Sequence, residues 1–160
     1  MSDEGHKLET TVLKIAPGDL ETLREQARGA YPEECCGMLV GVTEGPVTSI
    51  MRVGPAANAH LDRTARYEIP PREILRAMTE GREIGEEVVG YFHSHPDRPA
   101  FPSDADRRDA WTGVSYLIVS VTAGDVGSMR SWRMSRGGAF EEERLVESAR
   151  GAGSGGRDLS

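Results

Sequence analysis

Residues 91–106 read YFHSHPDRPAFPSDAD, and the way this stretch divides decides the fold around it. Tyr91 and Phe92 close a run, EVVGYF, with the composition of a strand, and a proline-rich loop follows Pro96. Ser103 then opens a short helix reaching to about Trp111. Residues two apart on an extended chain share a face, so His93 and His95 project to one side and Ser94 to the other. Asp106 falls in the first turn of the helix, where Ser103 and Asp106 also spell a capping box.

Outward from this unit, strand and helix patterns alternate. Residues 7–15, KLETTVLKI, read as a first strand. Pro17, Gly18 and Asp19 then start a helix with Leu20, Leu23 and Ala27 at helical spacing, stopped by Gly29 and Pro32. CGMLVGV, Cys36 to Val42, is a continuous apolar run of strand length, as for a strand covered on both faces, and VTSIMRV is its hairpin partner. Ile74, Ala77, Met78, Gly81 and Ile84 predict a second helix behind Pro70 and Pro71. Strands are expected at 115–121 and 128–134, while AFEEERLVE near the end fits strand or helix. The pattern implies an α/β layered domain with a central mixed β-sheet flanked by helices, spanning 7–148, with a flexible N-terminus at 1–6 and a disordered tail at 149–160.

Composition bounds the function. A chain of 160 residues supports one core. A net charge of −7 with scattered arginines disfavours nucleic acid as a partner. There is no run of 18 apolar residues for a membrane span and no secretory signal is visible in MSDEGHKLET, so the expectation is a cytoplasmic protein with no membrane partner. The only cysteines, Cys35 and Cys36, are adjacent, which suits neither a structural disulfide nor a CxxC zinc site. They are expected to be reduced and buried, a reactive pair being the alternative.

A catalytic zinc site needs three protein ligands and an open position, and two imidazoles with one carboxylate form such a set. His93, His95 and Asp106 provide it. Each piece has a plainer reading: HSHP as a solvated strand end, Ser103 and Asp106 as a helix cap. The complete string, HSHP followed after six residues by Ser and then by Asp106, resembles the signature of the JAMM (MPN+, Mov34/PAD1) zinc metalloproteases of small prokaryotic type. Asn58 and RYEIPP are weaker echoes of the same family.

The resemblance implies a fold of the JAMM/MPN, cytidine-deaminase-like kind, Zn2+ at His93, His95 and Asp106, and Ser103 as oxyanion donor. It also implies a glutamate in a context like PxExxG, which YPEECCGMLVG supplies as Glu34, with Glu33 on the opposite side of the chain. Glu34 would serve as the general base. The implied activity is hydrolysis of a peptide or isopeptide bond at the C-terminal Gly-Gly end of a ubiquitin-like protein or a sulfur carrier of the ThiS or MoaD type. Such a tail could enter as an added strand beside an exposed sheet edge. Two other readings compete: a non-catalytic MPN-type scaffold, and a zinc deaminase. The deaminase fails on its ligands, since His93 is followed by Ser94 and His95 and no CxxC is present. Asp104 and Asp109 could orient a ligand imidazole, but plain surface exposure is the expectation for both, as it is for His6 and His60.

Overall fold

Apolar alternation and its breakdown account for the layering in the computed structural model, which describes residues 10–149 and 157–158. The strands are β1 (Val12–Ile15), β2 (Cys36–Glu44), β3 (Val47–Ala56), β4 (Glu87–Pro96), β5 (Ser115–Thr122), β6 (Asp125–Met134), β7 (Phe140–Glu147) and β8 (Arg157–Asp158). The helices are α1 (Pro17–Ala30), α2 (Pro71–Glu83) and α3 (Asp104–Asp109). They form a mixed sheet of order β1-β3-β2-β4-β5-β6-β7-β8 in which β1 also pairs with β7. That pairing closes the sheet into a barrel-like curl. α1 contacts β3, β5 and β6, so it fills the concave side, whereas α2 lies outside against β2 and β4.

The continuous apolar runs are explained by cover on both faces. In β2, Leu39 joins the core around α1 (Leu13, Leu20, Leu23, Phe92) while Cys36, Met38 and Val40 pack beneath α2 with Ile69. In β5, Leu117 and Val119 face α1, and Ile118 faces a third cluster with Ala100 and Trp132. Gly37 sits where a Cβ would strike Gly54 O and the Phe92 ring, so only glycine lets β2 and β3 approach beside the site.

β1 is tied by backbone register to Val47–Ser49 of β3 on one side and to Arg144–Glu147 of β7 on the other. Buried Glu143 reinforces this seam: it accepts from Thr11 Oγ1 at 2.8 Å and Ser131 Oγ at 2.6 Å, with Arg133 Nε 3.3 Å away. Arg133 also reaches Thr48 Oγ1 of β3 at 3.4 Å.

One open reading is settled and three expectations change. AFEEERLVE is strand, because β7 pairs with both β6 and β1. β4 carries both histidines, as the strand period requires, but Pro96, expected to end regular pairing, is itself paired opposite Val121 of β5. Met78 and Ile84 are 43% and 57% exposed: only the Ile74–Ala77–Gly81 stripe of α2 meets the sheet. Arg157 and Asp158, inside the stretch expected to be a disordered tail, pair antiparallel with Glu147 and Val146. Such pairing uses backbone groups and needs no apolar anchor. Residues 1–9, which include His6 and the start of the strand expected at 7–15, and residues 150–156 and 159–160 lie outside the described residues.

Candidate metal centre

β4 delivers two imidazoles to one point because its pleat places Tyr91, His93 and His95 on the α2 side. Ser94 turns the other way: its Oγ accepts from Cys35 N at 2.8 Å, and its N–H reaches Cys35 O at 3.1 Å. This doubly bonded crossing locks the strand end against the residue after Glu34. α3 supplies the third group. Ser103 caps it, with Asp106 N donating to Ser103 Oγ at 3.1 Å and Ser103 N donating to Asp106 Oδ2 at 2.8 Å. The capping box therefore fixes the carboxylate. Because Ser103 Oγ acts in it as acceptor, its own O–H stays free to donate.

Three ligand atoms converge. His93 Nε2 and His95 Nε2 are 3.1 Å apart, and Asp106 Oδ2 lies 3.2 Å and 3.1 Å from them. Tetrahedral ligands about 2.0–2.1 Å from a zinc ion stand roughly 3.3 Å from one another, so the triangle has the right size. The donor chemistry agrees. His95 Nδ1 is 2.9 Å from Pro99 O, which can only accept, so a proton sits on Nδ1 and Nε2 is turned inward. Nε2 faces a carboxylate oxygen at 3.1 Å, a pair that requires a positive charge, a proton or a cation, between them. Both histidines are buried. Among the described residues no other trio of histidine, cysteine or acidic side chains converges in this way. The cluster fits a divalent cation.

Burial pushes the Asp106 carboxyl up, but a positive charge shared with His93 and His95 across their Nε2 atoms, together with the Ser103 N–H, outweighs it. They hold Asp106 well below the usual carboxylate range.

Glu34 and Glu33 separate as strand alternation predicts. Glu33 pairs with Arg63 at the surface, whereas Glu34 is only 2% exposed. Its backbone is pinned at both ends, N–H to Arg63 O at 2.7 Å and C=O from Asn58 Nδ2 at 3.0 Å. Asn58 uses every remaining atom on the same loop, bonding Arg66 O, His60 N and Glu68 N. Glu34 Oε2 accepts from Arg98 Nη2 at 2.5 Å, while Oε1 is buried with no partner among the described residues. Burial raises the Glu34 carboxyl above its ordinary value, opposed by the nearby charges of His93, His95 and Arg98. A buried carboxylate oxygen without a donor, beside a cation-sized cluster of acceptors, is placed to receive a proton.

Several features here are invisible in the local pattern. Tyr67 of RYEIPP stacks on His93, ring centroids 4.4 Å apart at 20°, and holds that imidazole flat. The partner that orients His95 is the Pro99 carbonyl; Asp104 is 91% exposed beside Arg107, and Asp109 is also exposed. His60 is half-buried, its Nδ1 accepting from Asp62 N, so it is less free than expected. Cys35 and Cys36 are buried free thiols.

Among known proteins, the family profile described as prokaryotic homologs of the JAB domain matches residues 18–135. A desampylase from Haloferax volcanii is 34% identical over 102 residues, 63% of this chain and 72% of the relative. A CysO-cysteine peptidase from Mycobacterium tuberculosis is 30% identical over 132 residues, 82% of this chain and 88% of the relative. The solution structure of a Desulfitobacterium hafniense protein superposes with a TM-score of 0.76 at 30% identity, covering 88% of this chain and 94% of that one.

Proposed function

Because the chain belongs to the prokaryotic JAB-domain family, we propose that it is a zinc-dependent peptidase. Its substrate would be a ubiquitin-like or sulfur-carrier protein, hydrolysed at a peptide or isopeptide bond at the C-terminal Gly-Gly end. The relatives named desampylase and CysO-cysteine peptidase support a hydrolase acting on such proteins. The observation that carries the reading is the convergence of His93, His95 and Asp106 beside the unpartnered, buried Oε1 of Glu34. A scaffold has no use for three acceptors forced together next to an unsatisfied carboxylate.

His93, His95 and Asp106 would hold the metal. Bound there, zinc would supply Lewis-acid chemistry, polarising the scissile carbonyl and acidifying water. The chain's own groups divide the remaining work. Glu34 Oε1 takes a proton from the attacking water and returns it to the leaving amine. The Ser103 hydroxyl donates to the oxyanion that develops on the carbonyl. The Pro99 carbonyl keeps the His95 proton on Nδ1, and Tyr67 stacked on His93 fixes the other ring.

The test is incubation of the zinc-loaded protein with the sulfur-carrier and ubiquitin-like proteins of its own organism, followed by intact mass. Chelator-sensitive loss of a group beyond a Gly-Gly end is expected. If no carrier or conjugate changes mass, the peptidase reading fails.

A further inference from the structure

Given the peptidase activity proposed above, we infer that Arg98 is a specificity residue that recognises a free α-carboxylate on the leaving group. This favours a carrier whose Gly-Gly end is joined to the α-amine of a single terminal amino acid. Four observations meet at this residue.

The first is rigidity. Residues 97–100 have no regular structure, yet each is anchored: Asp97 N to Val121 O at 2.8 Å, and Arg98 O from Ser120 Oγ at 2.6 Å. Pro99 O binds His95 Nδ1 at 2.9 Å and Ala100 O accepts from Trp132 Nε1 at 3.0 Å. Asp97, at φ 57°, is held in the left-handed region with its carboxylate accepting from Tyr31 OH at 2.9 Å. The arginine thus projects from a fixed platform one residue away from the carbonyl that orients His95.

The second is spare donor capacity. A guanidinium carries five N–H groups in a planar fork. Among the described residues the Arg98 guanidinium has one partner, Glu34 Oε2, reached through Nη2 at 2.5 Å. One complete two-donor edge remains for a second carboxylate. The third is access: the Arg98 side chain is 35% exposed while that of Glu34 is 2% exposed, so the arginine links the buried carboxylate to a surface that solvent reaches. A counter-charge serving Glu34 alone would have no need of an open edge.

The fourth is position relative to the chemistry. When the amide is hydrolysed, the water oxygen joins the carrier's glycyl carbonyl, the C–N bond breaks and the departing nitrogen takes its proton beside Glu34. If that nitrogen is an α-amine, its own carboxyl carbon is two covalent bonds away and the carboxylate oxygens lie roughly 3 Å from it. They then fall beside the guanidinium that Glu34 already holds. A lysine side-chain amine released from an isopeptide carries its α-carbon four bonds further away, and within a protein that carbon bears an amide instead of a carboxylate. Charge-assisted, bidentate contact separates the two classes.

The experiment uses two peptides that end Gly-Gly-Ala, one with a free carboxylate and one with a carboxamide. For the zinc-loaded protein kcat/KM should favour the acid by about tenfold or more. In Arg98→Gln the ratio should fall to about one. The ratio is taken within each protein, so a general loss from disturbing Glu34 cancels. Arg98→Lys, which keeps the charge beside Glu34 but not the fork, should retain a preference of about threefold. Calorimetric binding of both peptides to the metal-free protein gives a second readout, the acid tighter in the wild type and equal to the amide in Arg98→Gln. Equal hydrolysis and equal binding of the two by the wild type, or an undiminished ratio in Arg98→Gln, overturns the role of Arg98. Hydrolysis of neither peptide, with carriers and conjugates also intact, overturns the peptidase reading itself.

Discussion

Glu33 and Glu34 are the same side chain one position apart, yet one pairs with Arg63 at the surface and the other carries a buried oxygen with no donor. That difference makes Glu34 the residue to test first. Glu34→Gln keeps the size and the contact with Arg98 but cannot accept the proton, so cleavage should fall by about 10²–10⁴-fold with the circular dichroism spectrum unchanged. Full activity in this variant would exclude Glu34 as the base. That His93, His95 and Asp106 would converge could be read from sequence because strand period and helix start are local rules. Arg98 and the Pro99 carbonyl could not, since their partners are set by where a loop folds back, in one case 64 residues away. The adjacent thiols give a pH prediction. Burial pushes Cys35 up to about 11 and Cys36 to about 12. The folded state therefore holds these protons more tightly than the unfolded chain, where a thiol titrates near 8.5. Their contribution is complete below about pH 8.5 and is lost as pH rises toward 11. Urea midpoints should decline between about pH 8.5 and 10, less steeply in Cys35→Ala and Cys36→Ala. Native thiols should resist alkylation at neutral pH.

At the scale of elements, β7 shows why pattern reading stops short. Its segment places three acids in a row, Glu141 to Glu143, which is poor strand composition for a buried face. Glu143 nonetheless points inward, because Thr11, Ser131 and Arg133 arrive from β6 and from the residue preceding β1 to satisfy it. A buried acid with partners this distant in sequence has no local signature. Removing it leaves Arg133, itself 22% exposed, and two hydroxyls without their acceptor. Glu143→Ala should therefore cost about 3–5 kcal/mol in urea unfolding. The loss should fall on the β1–β7 seam, so amide exchange of residues 12–15 should accelerate more than that of β5. A cost within 0.5 kcal/mol would show that the backbone ladder alone closes the sheet. The helices and central strands were legible by contrast, since Leu20, Leu23 and Ala27 or the run at Cys36–Val42 carry their own periodicity.

At the scale of the whole molecule, sequence implied a central mixed sheet with an exposed edge for an incoming tail; the mixed sheet is present, and the pairing of β1 with β7 closes it into a barrel-like curl. β1 pairs on both sides, a contact between residues 12 and 144 that no local rule foresees. Closure leaves partial edges: the register of β3 with β1 ends at Ser49, and that of β6 with β7 covers only Ser131–Met134. The candidate metal centre lies on the outer face, where β4 meets α3 across the loop between them, so a bound ion would join elements the closed core does not. In its absence His95 Nε2 and the Asp106 carboxylate face each other at 3.1 Å, an arrangement costly to keep without a cation or a shared proton. Zinc should therefore bind the folded state far more tightly than the unfolded chain and raise its stability. At a free concentration a thousandfold above Kd the gain is about 4 kcal/mol. For a domain of this size that is on the order of 10 °C in Tm. Scanning calorimetry with and without zinc checks it, with Asp106→Ala as the control. The increase should shrink by more than half in the variant, while Glu34→Gln should keep it in full, separating ligand from base. An equal increase in wild type and Asp106→Ala would mean that the ion binds elsewhere, and the assignment of this trio as the metal centre would fall.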